Sequence, residues 1–255
     1  MGALQKSAVA LALLSAVTTS HAGIVTLKNI TGAWSNAVPS VNLDNTTGNG
    51  TSNASAFWGD SDGYSGYDFF AVTNPSVTLP PSPSPTFTIG TFQHRNQPIT
   101  GGTSISSIRL TVTSDIFIDA SNLGSRTFVY DFLHDETTNN ATPCAFGGSN
   151  YQGVNINGCA DRVRVNFNSL SQNFVIGLDT YTVNIFGFMV GNNQFSQFLT
   201  TEGITNEAYL RANVALRSEI DEGGGGPTGN PVPEPGTLAL LGLGFVSLGF
   251  ARRKQ

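Results

Sequence analysis

Arg162-Val163-Arg164-Val165-Asn166-Phe167 alternates polar and apolar side chains without a break. Successive side chains of an extended chain point to opposite sides, so such a run has one wet face and one dry face. The same rhythm, rich in β-branched and aromatic residues, recurs at 105–113, 116–118, 127–133, 173–178 and 181–188. Shorter runs at 24–27, 31–34, 56–58, 68–72 and 86–92 also read as strands, and 207–218 alternates at Leu210, Ala212, Val214 and Leu216. Residues 178–181 read as a tight connection between two strands. Pro80-Pro81-Ser82-Pro83-Ser84-Pro85 reads as an exposed connector. Many strands at short, regular spacing predict an all-β fold, a two-sheet sandwich of jelly-roll-like form.

Charge narrows the partners. Four of the 12 Lys and Arg residues lie before Gly23 or after Pro235, while all 17 Asp and Glu residues lie between those two positions. The body is therefore more acidic than the whole chain's −5, which argues against nucleic acid, since phosphate binding needs a basic face. Cys144 and Cys159 flank a glycine-rich stretch and are the only cysteines. In an exported chain they are expected to pair, closing a loop worth roughly 3 kcal/mol. Two free buried thiols or a zinc site are the alternatives, the latter lacking a second cysteine pair.

Both ends carry targeting physics. Lys6, an apolar stretch at 8–17 and Thr18-Thr19-Ser20-His21-Ala22 form a signal peptide over 1–22, cut after Ala22. At the other end Gly236 to Ala251 is apolar apart from Thr237 and Ser247. As a helix this span reaches about 24 Å, short for a bilayer core, with Arg252, Arg253 and Lys254 able to snorkel and to hold the end in the cytoplasm. The expected organisation is a signal peptide at 1–22, a β-sandwich ectodomain at 23–220, a Gly-rich linker at 221–230, and a sorting segment at 231–255 with a transmembrane helix at 236–251.

Val232-Pro233-Glu234-Pro235, the apolar span and the basic end resemble the PEP-CTERM sorting signal. That resemblance implies a Gram-negative host, recognition by exosortase, cleavage near Pro-Glu-Pro, and release or attachment at the surface. The Sec translocon, signal peptidase and, transiently, the inner membrane are then further partners, and extracellular polysaccharide is a candidate ligand. A second resemblance concerns the body. Phe92-Gln93-His94-Arg95-Asn96-Gln97-Pro98-Ile99 is similar to the motif of the THxN family of PEP-CTERM proteins, with Gln93 where that family has Thr. Gly32-Ala33-Trp34, Phe57-Trp58-Gly59 and His134-Asp135-Glu136-Thr137 resemble the same pattern, which carries no established activity.

Several residues are candidates for chemistry. His94 with Asn96, and His134 with Asp135 and Glu136, can bind a metal, work as acid and base, or simply organise loops, depending on whether folding joins them. Asp60, Asp62 and Asp68 lie in a glycine-rich stretch that suits Ca²⁺, although EF-hand spacing fails at Ser65 and Ala71. No other cofactor is suggested. Trp34, Trp58, Tyr64, Tyr67 and Tyr151 can serve as sugar-stacking platforms or as core. The chain has no nucleophile elbow, His-Glu-x-x-His, P-loop or dinucleotide fingerprint, so a non-enzyme is expected. The expectation is an exported cell-envelope or matrix protein of structural or adhesive role. A carbohydrate-binding module and a secreted hydrolase are the alternatives, the latter because paired carboxylates can come from distant strands.

Overall fold

The computed structural model describes residues 23–60, 63–99 and 102–220. The expected signal peptide, linker and sorting segment, and Asp62, lie outside the described residues. In chain order the strands are β1 (Gly23–Val38), β2 (Leu43–Thr47), β3 (Asn53–Asp60), β4 (Gly63–Ala71), β5 (Ser76–Leu79), β6 (Phe87–Asn96) and β7 (Ser107–Ile118). They continue as β8 (Ser121–Asp135), β9 (Asp161–Phe167), β10 (Phe174–Ile176), β11 (Asp179–Val190), β12 (Asn193–Phe195), β13 (Gln197–Thr200) and β14 (Ile204–Leu216).

Two antiparallel sheets result. One has the order β13-β9-β8-β7-β1-β5; the other runs β10-β11-β14-β6-β4-β3-β2, with β12 beside β11. Sequential strands stay together, β7-β8-β9 in one sheet and β2-β3-β4 in the other. The ordering thus mixes meanders with crossovers, since β4, β5, β6 and β7 alternate between the sheets, and it is not the regular strand alternation of a jelly roll. One continuous apolar core draws on both sheets.

The local chemistry explains most boundaries. The two short runs expected at 24–27 and 31–34 are one strand, interrupted by register shifts between Lys28 and Thr31 and again after Ser35. Asn29 and Asn36 take positive φ there, a conformation Asn tolerates better than most residues. In β7, Ser114 occupies a core-facing position and looks like a break in the pattern. Its hydroxyl instead donates to the Lys28 carbonyl at 2.8 Å, so the strand runs through. The connection expected at 178–181 is a two-residue turn at Gly177-Leu178, since Ile176 already pairs with Asp179. The ambiguous 207–218 run is strand β14, extended towards its start to Ile204. The proline-rich connector is mostly exposed, except that Ser84 is buried and exchanges hydrogen bonds with Val214.

Trp34 of β1, Phe132 of β8, Phe92 of β6 and Phe188 of β11 meet between the sheets. The Trp34 indole donates to the Ala54 carbonyl at 3.1 Å. Gly32 and Gly90 flank the Phe69 ring so closely that a Cβ at either would overlap it. That close approach, rather than turn formation, explains glycine within two central strands.

A buried histidine and carboxylate cluster as candidate functional site

Period-two alternation sorts the sequence candidates into two groups on opposite sides of the sheets. On β6, His94 and Asn96 face inwards and are fully buried, while Arg95 faces out. On β8, His134 faces inwards and Asp135 outwards. Folding therefore joins His94 to His134, with ring centroids 5.1 Å apart and planes perpendicular. It separates Asp135, which accepts from Arg162 at 2.9 Å and Arg164 at 3.0 Å on the outer face of β9. These two guanidinium groups hold the Asp135 carboxyl below its usual range, outweighing the opposing effect of burial. Asp135 does not belong to the histidine group, despite lying between two of its members in sequence.

Three further acidic or aromatic groups complete the cluster, and none was singled out for it from the sequence. Asp161 opens β9 directly beside Thr200 of β13 in the register. Glu202 lies in the short crossover that carries the chain from β13 in one sheet to β14 in the other. Tyr67 of β4 pairs with His94 in the ladder and sends its hydroxyl to His134 Nδ1 at 2.6 Å. Glu136, just past β8, reaches His134 Nε2 at 3.2 Å and is the part-exposed member. Trp58 stacks on His94, with centroids 5.8 Å apart, and meets His134 edge-on.

Hydrogen bonding assigns the histidine protons. The Thr200 hydroxyl lies 2.9 Å from His94 Nδ1 and 3.4 Å from the Asp161 carbonyl. A carbonyl only accepts, so the hydroxyl donates to it and takes the Nδ1–H of His94. His94 Nε2 then carries a lone pair, is buried, and meets no hydrogen-bond partner. Burial, the neighbouring His134 and Arg95 all push the His94 pKa well down, which keeps the ring neutral. Burial, then the charges of Asp161 and Glu136, drive the Tyr67 pKa well up, so its phenol stays protonated and donates to His134 Nδ1. His134 accordingly donates through Nε2 to Glu136.

The carboxylates are less well served. Asp161 Oδ1 accepts from the Thr137 amide at 2.7 Å, but Oδ2 has no partner. Glu202 has no exposed surface; the side chains of Asn96, Asn139 and Asp161 border it, yet none meets its oxygens in hydrogen-bonding geometry. Burial raises the pKa of both groups, and the mutual repulsion with Glu136 raises them further. The nearby arginines pair elsewhere, Arg95 with Asp68 at 3.2 Å and Arg162 and Arg164 with Asp135. Two sets of potential ligand atoms lie within 4.8 Å of one another, His94/His134/Asp161 and Glu136/Asp161/Glu202, with Asp161 common to both.

A stapled loop covers this end. Cys144 and Cys159 form a disulfide with Cα atoms 5.3 Å apart. The loop it closes is tied to the cluster on both sides: the Thr137 hydroxyl donates to the Cys159 carbonyl at 2.7 Å, and the Asn157 amide to the Glu202 carbonyl at 2.9 Å.

The remaining candidates fall elsewhere. Asp68 lies on the outer face, bonded to Ser55 and paired with Arg95, so its carboxylate is already engaged. Asp60 ends β3 and has interactions of its own. Trp34, Trp58 and Tyr67 are core residues and offer no exposed ring; Tyr64 and Tyr151 are exposed. Tyr64 lines a shallow groove with Phe57, Arg95, Asp44, Asn45 and Thr47. The Arg95 guanidinium lies over the Phe57 ring at 4.0 Å.

Residues 231–254 match the protein family described as the PEP-CTERM protein-sorting motif. No curated protein matches the chain. The motif is the address read by exosortase, so the chain is an exported, exosortase-sorted protein destined for the cell surface.

Proposed function

We propose that the mature body is a structural or adhesive component of the cell surface or of its polysaccharide matrix, with no catalysis of its own. The Sec translocon and signal peptidase deliver it, and the inner membrane holds it by 236–251 until exosortase cuts near Pro233-Glu234-Pro235. One observation carries the non-catalytic reading. The groups best suited to chemistry, His94, Asp161 and Glu202, have no exposed surface, so a polymer substrate has no way to reach hydrogen-bond distance. The segments that resemble the THxN family supply Trp34, Trp58, His94, Asn96 and His134, all of them interior. We read that resemblance as one of a shared core and not of a shared active site.

A second reading, a weak carbohydrate-binding surface, is favoured by the exposed Tyr64 ring in the groove beside Arg95. Cell fractionation with and without exosortase, with mass spectrometry of the mature C-terminus, tests the first reading. Expected are a cut near Pro-Glu-Pro at the surface in normal cells and an uncut, membrane-held chain without the enzyme. Release of new reducing ends from exopolysaccharide by the purified protein would overturn the non-catalytic assignment. Loss of exopolysaccharide binding in Tyr64→Ala would support the second reading.

A further inference from the structure

The cluster poses a charge problem. Asp161 and Glu202 are buried, Glu136 adjoins them, and the arginines within reach are engaged on the outer faces of the sheets. A buried carboxylate without a counter-charge is costly unless it takes up a proton or meets a cation. His94 Nε2 and Asp161 Oδ2 are both buried without a partner, in a group whose ligand atoms, with one from His134, lie within 4.8 Å of one another, and a cation between them would satisfy both.

We propose that this cluster binds a divalent first-row transition-metal ion of the zinc class, held by His94 Nε2, His134 Nε2 and Asp161 Oδ2 and charge-balanced by Glu136 and Glu202. Two imidazoles and a carboxylate favour such an ion over Ca²⁺ or Mg²⁺, which prefer oxygen-only shells. Two outer partners are already placed as a metal site requires. Thr200 holds His94 Nδ1 and so aims Nε2 inwards, and the Thr137 amide holds the other oxygen of Asp161. Tyr67 faces Nδ1 of His134; when the ion takes Nε2, the single proton of that ring moves to Nδ1 and is donated in a hydrogen bond to the phenol oxygen, whose own O–H rotates away from the ring. Glu136, the part-exposed member, marks the entry side. Because the ligands come from β6, β8 and β9, the ion pins one sheet to the other beneath the disulfide-closed loop. Its role is to lock the sandwich, and it takes no part in turnover.

The test uses mature protein recovered from the cell envelope with its disulfide intact, stripped with a chelator and titrated with Zn²⁺ or Co²⁺. Expected are uptake of about one ion per chain, a higher melting temperature with Zn²⁺, and visible absorption with Co²⁺. Ca²⁺ and Mg²⁺ at equal concentration should produce no such shift. Asp161→Asn preserves shape and should weaken Co²⁺ binding by at least about tenfold. Asp135→Asn, on the outer face of β8 opposite Arg162, should leave binding unchanged. No uptake by the wild type, or equal affinity in Asp161→Asn, would overturn the proposal. Should the variant fail to fold, zinc-edge X-ray absorption of the wild type decides. Imidazole back-scattering is required, and an oxygen-only shell rules the site out.

Discussion

The interior of this sandwich contains two neighbouring regions that are held by different forces. In one, Trp34, Phe92, Phe132 and Phe188 fill the space between the sheets with rings and expose almost no surface. In the other, His94, His134, Asp161 and Glu202 are buried as deeply, but His94, Asp161 and Glu202 leave lone pairs without donors. Tyr67 joins them, its ring against Phe92 at 4.8 Å and its hydroxyl on His134. The aromatic region is stable because water is excluded from apolar surface. The polar region gains nothing from that exclusion and needs specific partners for every charge. A fold whose purpose was stability alone would have extended the aromatic packing through both.

The largest effect should come from the aromatic side. Trp34→Ala removes the central ring and its bond to Ala54, and should cost about 3–5 kcal/mol in urea unfolding. Opening the disulfide by Cys144→Ser with Cys159→Ser should cost about 3 kcal/mol, read in the same way. That variant should also lower metal affinity, because the loop holds Thr137 through the Cys159 carbonyl and Glu202 through Asn157. Tyr67→Phe keeps the ring but leaves His134 Nδ1 without its donor, and should cost about 1–3 kcal/mol. If Tyr67→Phe proved neutral, the seam between the regions would be apolar only. Asp135→Asn breaks part-exposed ion pairs on the outer face and should cost less than about 1 kcal/mol. An Asp135 effect larger than that of Tyr67 would mean that the outer ion pairs, and not the buried hydrogen bond, hold this end together.

Much of the scaffold was legible from local pattern. The alternation at 162–167 is β9, and the histidine segments are the inward ends of β6 and β8. The cysteine spacing and the exported context together foretold the bridge. What the pattern could not supply was depth and long-range pairing. Trp58 and Tyr67 alternate in the same manner whether their face meets solvent or a second sheet, so platform and core were indistinguishable. Asp161 precedes a clean strand and Glu202 sits in a Thr-Thr-Glu-Gly turn, and neither carries a local signal. Only the pairing of β13 with β9, and the crossover to β14, bring them to the histidines. The short strands β2, β5, β12 and β13 were missed because so few residues at sheet margins establish no period. Grouping Asp135 with His134 failed for the opposite reason: neighbours in a strand point apart.

The polar region's dependence on a cation is the central claim, and anomalous X-ray scattering recorded on both sides of the zinc edge tests it most directly. Crystals of zinc-loaded mature protein should show a peak bounded by His94 Nε2, His134 Nε2 and Asp161 Oδ2. Ordered water at that position, with zinc found only at surface carboxylates, would contradict the account.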